Sequence, residues 1–303
     1  MREYINTLLN PKKTKGSKIP TRNFTPTCSF QLHYQYNVPV DGKGFCGLCF
    51  NPFFLSDDSI KDYKGNINFP EGENIKGYEI RRMSTFFVKC ERIGHSEWTY
   101  AYIGQTIPAL YSSYRLVSAE INFKYIGDIS RATGYICGAV INDDDKIVGS
   151  NITLKYPQYN INTSTEDFIL DKYNENTIKN SYYYIENKII DGFRMIYYPL
   201  DNSYEEFVKV YKGPGLRVDK WINSNRYSIS LSDEYFKSGF KWIIFLNGID
   251  RYSIGSVLME IHCNYECIPD LKYINYLPMS IIVSCYIPKN IKEKIIEYLK
   301  NNK

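Results

Sequence analysis

The sequence has little of what most enzymes and membrane proteins carry. Its 303 residues include only three histidines (His33, His95 and His262), and they lack a G-x-S-x-G turn, an H-E-x-x-H helix and a phosphate-binding glycine loop. No run of about 18 apolar residues predicts a membrane-spanning helix, and no signal-peptide pattern opens the chain. We therefore expect neither an enzyme nor membrane insertion, although a Cys–His catalytic pair distant in sequence stays an alternative.

Eight cysteines are present, and in a chain without a secretory signal we expect thiols rather than disulfides. Cys46 and Cys49, together with Cys263 and Cys267, are the set that could supply four thiolates to a zinc ion. A strand would point Cys46 and Cys49 to opposite faces, however, and cysteine is often buried for packing alone. The sequence therefore favours buried thiols over a zinc site.

Aromatic side chains are abundant, at 16% of the chain, and 29 of them are tyrosines. Aromatic residues favour strands, and tyrosine suits a half-buried sheet surface. A chain of 303 residues with 44% apolar residues can build one large β domain or two smaller ones.

The clearest strand pattern lies within residues 114–141. Every odd position from Val117 to Tyr125 is apolar or aromatic, whereas the positions between them are Ser118, Glu120, Asn122 and Lys124. This period of two predicts a strand with one buried face and one wet face. A turn near residues 127–131 and a second β-rich run at 134–141 predict an antiparallel hairpin. We expect the odd-numbered face to lie between two sheets.

Several other runs have the composition of strands. In residues 255–269, apolar side chains alternate with Glu260, His262, Asn264 and Glu266. Less regular strands are predicted at residues 29–40, 45–54, 147–156, 192–200 and 239–246, and we expect the first two of these to pair. Residues 55–77 predict a long loop, and residues 156–189 a projecting insertion. Many strands, few helices and long connections favour a sandwich or jelly roll.

Charge divides the chain into three parts. Residues 1–27 form a basic N-terminal arm that we expect to order on binding, and residues 288–303 predict a basic, amphipathic C-terminal helix. The β body between them, residues 28–287, is mildly acidic. Basic ends on such a body indicate an anionic partner such as nucleic acid, with solvated tails as the alternative. The candidate phosphate-binding residues of the arm are Lys12, Lys13, Lys15, Lys18 and Arg22.

The order of the segments resembles the shell domain of single jelly-roll capsid proteins of small icosahedral viruses. These are the capsid proteins of nodavirus-like RNA viruses and of circular single-stranded DNA viruses. The resemblance spans about residues 29–270 and is carried by YRLVSAEINFKYIGDISRATGYICGAV, FRMIYYPLDNSYEEF and WIIFLNGIDRYSIGSVLMEIHCNYECIPD. The sequence departs from the family in its short, lysine-poor arm, and it has no match to the nodavirus Asn–Ala self-cleavage site.

The resemblance implies an all-β, eight-stranded antiparallel jelly-roll sandwich with long loops, a basic N-terminal arm and a C-terminal helix. It implies a structural subunit that self-assembles into an icosahedral shell around an RNA or single-stranded DNA genome. Such a subunit would be found in the virion and assembled inside the host cell, with residues 156–189 facing outward. No cofactor is expected beyond a divalent cation between subunits, for which Asp143, Asp144 and Asp145 are the candidates. A solvated turn is the simpler interpretation of these three residues.

The tyrosines also fit a second function. Aromatic platforms stack on sugars, so a jelly-roll module that binds carbohydrate or another cell-surface ligand is the alternative to a shell subunit. Such a module would need exposed aromatic side chains gathered on one face, and it would remain a monomer or a small oligomer.

Overall fold

The computed structural model describes most of the first 276 residues. The described residues are 2–14, 18–19, 26–58, 62–68, 74–90, 95–145, 147, 149–154, 162–163, 170–181, 183–199, 202–212, 216–223, 226–231, 235, 238–250 and 255–276. The helix predicted for residues 288–303 lies outside them, as do Lys15 and Arg22 of the arm.

The first of two main sheets has five strands. They are β1 (Cys28–Asn37), β9 (Tyr111–Tyr125), β14 (Phe193–Ile196), β15 (Val208–Lys209) and β19 (Val257–Pro269). The order is β1-β19-β9-β14, with β15 also pairing on β9, and every pair is antiparallel. The last strand of the sandwich therefore lies between the first strand and the long central strand β9.

The second main sheet has six strands. They are β2 (Cys46–Phe50), β6 (Phe86–Cys90), β7 (His95–Tyr100), β10 (Tyr135–Asn142), β13 (Ile185–Lys188) and β18 (Phe240–Asn247). Their order is β13-β10-β18-β2-β6-β7, again antiparallel throughout. With five and six strands, the sandwich has more strands than the eight predicted.

The core lies between these two sheets. Val117, Ala119, Ile121 and Phe123 of β9 are fully buried there with side chains of β2, β10 and β18, which confirms the predicted register of the odd-numbered face. A bulge between the pairs Asn264–Ser118 and Tyr265–Leu116 shifts the alternation by one residue. For this reason Leu116 also faces the core.

Several consecutive strands lie in different sheets of the sandwich and do not form hairpins. β9 and β10 lie in different sheets, so the hairpin predicted for residues 114–141 is wrong, and so is the pairing predicted for β1 with β2. The alternation of apolar and polar residues in a strand indicates which face is buried, but it does not indicate which strand is the partner. A turn signal between two strands is equally compatible with a connection that spans the core.

The six-stranded sheet is buried on both faces. Its inner residues join the main core, while Cys49, Phe87, Cys137 and Phe245 pack in a second cluster on the outer face. Burial on both faces explains why the sequences of β10 and β18 are apolar without alternation.

Part of the predicted insertion covers that outer face. Leu170, Tyr173 and Ile178 are buried in the second cluster, and β13 pairs with β10. The prediction that residues 156–189 project is therefore wrong for residues 170–189, where the described chain packs on the sheet. The reason is the apolar side chains at positions 170, 173 and 178, which are spaced to face one surface.

Three long connections of the sandwich, here called excursions, form a second β unit, the excursion module. The first lies between β2 and β6, the second between β10 and β13, and the third between β15 and β18. The strands of the module are β4 (Asp62–Asn68), β5 (Asn74–Ser84), β11 (Gly149–Leu154), β12 (Asn162–Thr163), β16 (Leu216–Asn223) and β17 (Arg226–Leu231). The first four form one sheet, and the β16–β17 hairpin contacts β4. The loop predicted for residues 55–77 is therefore wrong, because backbone pairing makes a hairpin there without the periodicity of a core-facing strand.

All three excursions meet the sandwich at one end. β2 ends at Phe50 beside Phe86 and Trp242, and β10 ends at Asn142 beside Phe240. Chain directions alternate in the sheet, so the exits from β2 and β10 and the entries into β6 and β18 share this end. The short parallel pair β3 (Ser56–Asp57) and β8 (Thr106–Ile107) lies in the adjoining connections.

Helices are few and short. The N-terminal helix α1 spans Arg2–Leu9, a second helix spans Glu175–Lys179, and 3-10 turns occupy Ile129–Arg131, Ile189–Asp191, Asn202–Glu205 and Leu271–Tyr276. No helix in the described part of the chain has the length and apolar character that crossing a bilayer requires.

Candidate functional site

The outer face of the five-stranded sheet carries charged and polar side chains from four of its strands. We call it the polar sheet face. The strand register places the following side chains of β1, β19, β9 and β14 on this face: Gln31, His33, Gln35, Glu260, His262, Asn264, Glu266, Arg115, Ser118, Glu120, Asn122, Lys124 and Arg194.

The N-terminal segment, residues 2–14 and 18–19, lies across this face. Asn264 Nδ2 donates to the Pro11 carbonyl at 2.8 Å, and Arg194 Nη2 donates to the Leu9 carbonyl at 2.7 Å. As a result Ser118 and Glu120, predicted to face water, are buried. The wet face expected for β9 is therefore wrong at Ser118 and Glu120, which the N-terminal segment covers, and it is confirmed at Lys124, which is exposed.

The N-terminal segment also contributes to the core. Tyr4, Thr7 and Leu8 of α1 are buried, and Tyr4 and Leu8 belong to the main core cluster. The expectation that the arm orders only on binding therefore does not hold for residues 2–14. The apolar positions 4 and 8, one helical turn apart, are the local signal for this packing.

The N-terminal segment also contacts the polar sheet face at Ile19, where it binds a buried ion pair. Arg115 Nε and Nη2 donate to Glu266 Oε2 at 2.9 and 2.7 Å, and both side chains are almost fully buried. Arg115 also donates to the Ile19 carbonyl, and Glu266 accepts hydrogen bonds from the Ile19 amide and the Thr27 hydroxyl. A buried pair is stable only when its remaining donors and acceptors are satisfied in this way.

Glu260 connects the sheet to the arm through two lysines. Its Oε2 accepts from Lys12 Nζ and from Lys124 Nζ, both at 3.1 Å, and Gln35 donates to its other oxygen. Burial alone would raise the pKa of this carboxyl, but the hydrogen bonds and charges of Lys124 and Lys12 outweigh it and lower the pKa to about 2. On the neighbouring strand, Glu120 accepts both hydrogen bonds from Arg194, at 2.6 and 3.1 Å.

Two histidines complete this surface. His33 and His262 are directly opposite in the register, with ring centroids 4.1 Å apart and planes at 10°. His33 is exposed and His262 is buried. Burial and the neighbouring charge of His33 lower the pKa of His262 below its ordinary value.

The predicted nucleic-acid residues fall in different environments. Lys12 is half-exposed in its ion pair, and Lys13 is exposed. Lys18 is buried and donates to the Thr27 carbonyl at 2.6 Å, and its burial lowers the pKa of its ammonium group. Sequence reasoning missed Arg115, Lys124 and Arg194. Lys124 lies on the even-numbered face of β9 and Arg194 on β14, but Arg115 is odd-numbered and reaches the same face only because of the bulge in β9. Their charges therefore acquire meaning only once the strand register is known.

The acidic run follows β10 at the root of the excursion module. Asp143 binds the buried Lys241, Lys172 and the Tyr173 hydroxyl, and Asp145 binds Lys172, whereas Asp144 is exposed. Burial opposes ionisation of Asp143, but hydrogen bonds from Lys241 and Tyr173 dominate and lower its pKa. Among the described residues, no three His, Cys, Asp or Glu side chains come together to hold a metal ion. The inter-subunit cation stays a prediction.

The zinc alternative fails on geometry. Cys46 faces the main core and Cys49 faces the second cluster, on opposite sides of β2. Cys263 and Cys267 belong to the other sheet. The four sulfurs therefore cannot share one ion, and they serve as buried thiols.

Comparison with solved structures finds viral particles. A structure of the VP2 subviral particle of infectious bursal disease virus matches with a TM-score of 0.54 at 11% identity, covering 100% of this chain and 94% of that one. The Gt strain of the same virus matches with a TM-score of 0.48 at 12% identity, covering 99% and 92%. The structure of Cocksfoot mottle virus gives 0.34 at 10% identity, with 88% and 98% covered. No protein-family model matches the sequence, and no curated protein matches it.

An identity of 11% carries no residue roles from VP2 to this chain, but the match in architecture extends over the whole chain. It agrees with the two antiparallel sheets, the strands that cross between them and the scarcity of helices. The chain therefore has a jelly-roll fold, as the sequence resemblance implied, and it shares this fold with the VP2 protein.

Proposed function

We propose that this chain is a structural subunit that self-assembles into an icosahedral viral shell. The observation that carries the proposal is the similarity in fold to VP2 of a subviral particle, which covers 100% of this chain and 94% of that one. A closed shell of one subunit type requires repeated, symmetric contacts. The subunit would be a homo-oligomer located in the virion and assembled inside the host cell.

The excursion module and the basic arm would face different partners. The three excursions leave the sandwich at one end, and in our proposal the excursion module points away from the genome, where a host receptor would be met. The basic arm points toward an RNA or single-stranded DNA genome, which Lys12, Lys13, Lys15 and Arg22 contact through phosphates. Lys18, predicted for the same role, is buried and bonded to the Thr27 carbonyl, so it would first have to leave that position. The half-exposed Lys12 and exposed Lys13 support this orientation.

A divalent cation at Asp143, Asp144 and Asp145 belongs to the same proposal. Such a cation would compete with Lys172 for the carboxylates of Asp143 and Asp145. Asp144 is exposed, and in this proposal it contacts the cation together with a second subunit. Isothermal titration calorimetry of assembled shells with Ca²⁺ tests this site. If Asp144→Asn leaves the heat of Ca²⁺ binding unchanged, the proposed site is wrong.

The alternative of a sugar-binding module finds less support. It needs exposed aromatic side chains gathered on one face, and in the part of the chain where side chains are described only Tyr102 and Tyr273 are exposed large aromatics. The buried tyrosines instead serve the core, as Tyr114 and Tyr265 do with ring centroids 5.7 Å apart.

Electron microscopy of the purified protein tests the shell. We expect uniform closed particles. A monomer that persists at high protein concentration across a range of salt would overturn the proposal.

A charge variant tests the role of the arm. Deleting residues 1–27 would also remove Tyr4 and Leu8 from the core, so we choose Lys13→Ala, Lys15→Ala and Arg22→Ala combined. Shells should still form, with less co-purified nucleic acid and a smaller salt dependence of binding, because fewer counterions are released. The matched control removes three exposed body lysines, Lys179, Lys188 and Lys272. An equal loss in the control would show that net charge, and not the arm, holds the genome.

A further inference from the structure

The histidine pair of the polar sheet face lies on strands that the N-terminal segment crosses, because Pro11 and Lys12 contact Asn264 and Glu260 on either side of His262. His33 is on the edge strand β1 and open to solvent, and its stacked partner His262 is only 5% exposed. His262 Nε2 is buried and makes no hydrogen bond with any described residue. One ring of the stacked pair is therefore open to solvent, and the other is buried without a hydrogen bond from its Nε2 to any described residue.

The charged groups around the pair come from every element that packs there. β9 supplies Glu120, directly opposite His262, and β19 supplies Glu260; β14 supplies Arg194, and the N-terminal segment supplies Lys12. Glu120 is already bound by Arg194, and Glu260 by Lys12 and by Lys124 of β9. The two carboxylates therefore have cationic partners before either histidine is charged.

We propose that the His33–His262 pair is a pH-sensitive latch whose protonation releases residues 10–14 of the N-terminal segment from the polar sheet face. Two imidazolium rings stacked at 4.1 Å repel each other, and Lys12 adds a third positive charge to the same surface. Of these three cations only Lys12, with a side chain 49% exposed, lies on a segment that crosses the sheet from outside. When this segment moves into water, Lys12 leaves the surface and the buried His262 ring becomes hydrated, which lowers the cost of its positive charge.

The direction of the pH effect follows from linkage. Burial, then the charges of His33 and Lys12, lower the pKa of His262 in the closed arrangement, and Glu120 and Glu260 only partly oppose this. The closed arrangement therefore binds fewer protons than the released one, so acid favours release. The effect begins as the pH falls below the ordinary histidine value of about 6.5 and grows toward pH 5.

The release is local, because the rest of the segment has other anchors. Tyr4 and Leu8 are buried in the core, and Ile19 is held by Arg115 and Glu266. Neither anchor contains a histidine. The inference concerns the attachment of the segment within one chain and does not depend on the proposed shell.

Hydrogen exchange read by mass spectrometry tests the latch. Labelling times are corrected for the intrinsic pH dependence of exchange, and peptides covering residues 10–14 are compared at pH 7.5 and 5.5. The amides of Lys13 and Thr14, bonded to the Asn10 carbonyl, report opening. We expect protection of residues 10–14 to be several-fold lower at pH 5.5 than at pH 7.5. A peptide from β18 should keep its protection, which separates release from global unfolding.

Variants decide whether the histidines are responsible. The double change His33→Gln and His262→Gln should remove the pH dependence at residues 10–14, and His33→Gln alone, at an exposed site, should weaken it without threatening the fold. The matched control is His95→Gln, in β7 of the other sheet, which should behave like the wild type. Equal protection of the wild type at both pH values, or an undiminished fall in His33→Gln, would overturn the latch.

Discussion

At the scale of the residue, the molecule is distinguished by buried charges that join segments far apart in the chain. Arg115 and Glu266 are separated by 151 positions, and Lys12 and Glu260 by 248. Each carboxylate accepts several hydrogen bonds, which offsets the loss of hydration. These contacts position the basic N-terminal segment that we propose to face the genome.

Replacing Glu266 by Gln tests the buried pair. The change leaves the Arg115 guanidinium buried without its counter-charge, so we expect a loss of ~3–5 kcal/mol in the free energy of unfolding, measured with urea. The control is Lys212→Ala, which breaks the pair with Asp270 where both side chains are partly exposed and should cost at most ~1 kcal/mol. Similar losses in the two variants would contradict the role given to burial.

Glu260 makes stability depend on acid. Its pKa is lowered from 4.5 to about 2 in the folded chain, so its contribution is present above pH 4.5 and is lost as the pH falls toward 2. We expect Glu260→Gln to reduce the acid-induced loss of unfolding free energy by about 1–3 kcal/mol between these values. Urea titrations at several pH values measure this loss of unfolding free energy. The same dependence on pH in the variant as in the wild type would contradict the role given to Glu260. This window lies below that of the histidine latch.

At the scale of the element, the connections between strands are as specific as the strands. Gly134, just before β10, has φ +89°, and a Cβ added there would lie 2.3 Å from the Asn247 carbonyl oxygen. This contact closes the end of the sandwich opposite the excursion module. Both the positive φ and the lack of space require glycine.

The two requirements can be separated by experiment. Gly255 also has a positive φ, of +73°, but a Cβ there would meet nothing within 4 Å. Gly255→Ala should therefore cost only backbone strain, ~1–2 kcal/mol, and Gly134→Ala a further ~1–3 kcal/mol from the contact with β18. Thermal unfolding measures both variants. Equal losses would show that the close approach is not a constraint.

At the scale of the whole molecule, the sandwich and the excursion module divide the chain. Ser56 and Ser84, near the two ends of the first excursion, both hydrogen-bond to Gln105. The chain therefore leaves and returns at nearly one point. A loop that starts and ends together can change length at little entropic cost.

Replacing residues 59–83 with a short Gly-Ser linker tests this division. We expect the sandwich to fold, with the near-ultraviolet signal of the buried Trp98 and Trp242 retained. The matched variant replaces residues 213–237, the third excursion, by the same linker. Loss of a cooperative unfolding transition in both variants would mean that the module is part of the core.

By itself, the sequence determined the strand class and the core face of β9, because alternation within one strand records which side chains avoid water. The jelly-roll fold was implied by the resemblance of the ordered segments to capsid proteins. It also placed Cys46 and Cys49 on opposite faces. Only the tertiary structure decided that β9 and β10 lie in different sheets and that the N-terminal segment covers Glu120. Strand partners and the contacts of buried charges depend on residues tens to hundreds of positions apart, as with Glu120 and Arg194, which are 74 apart. A local pattern contains no information about such contacts.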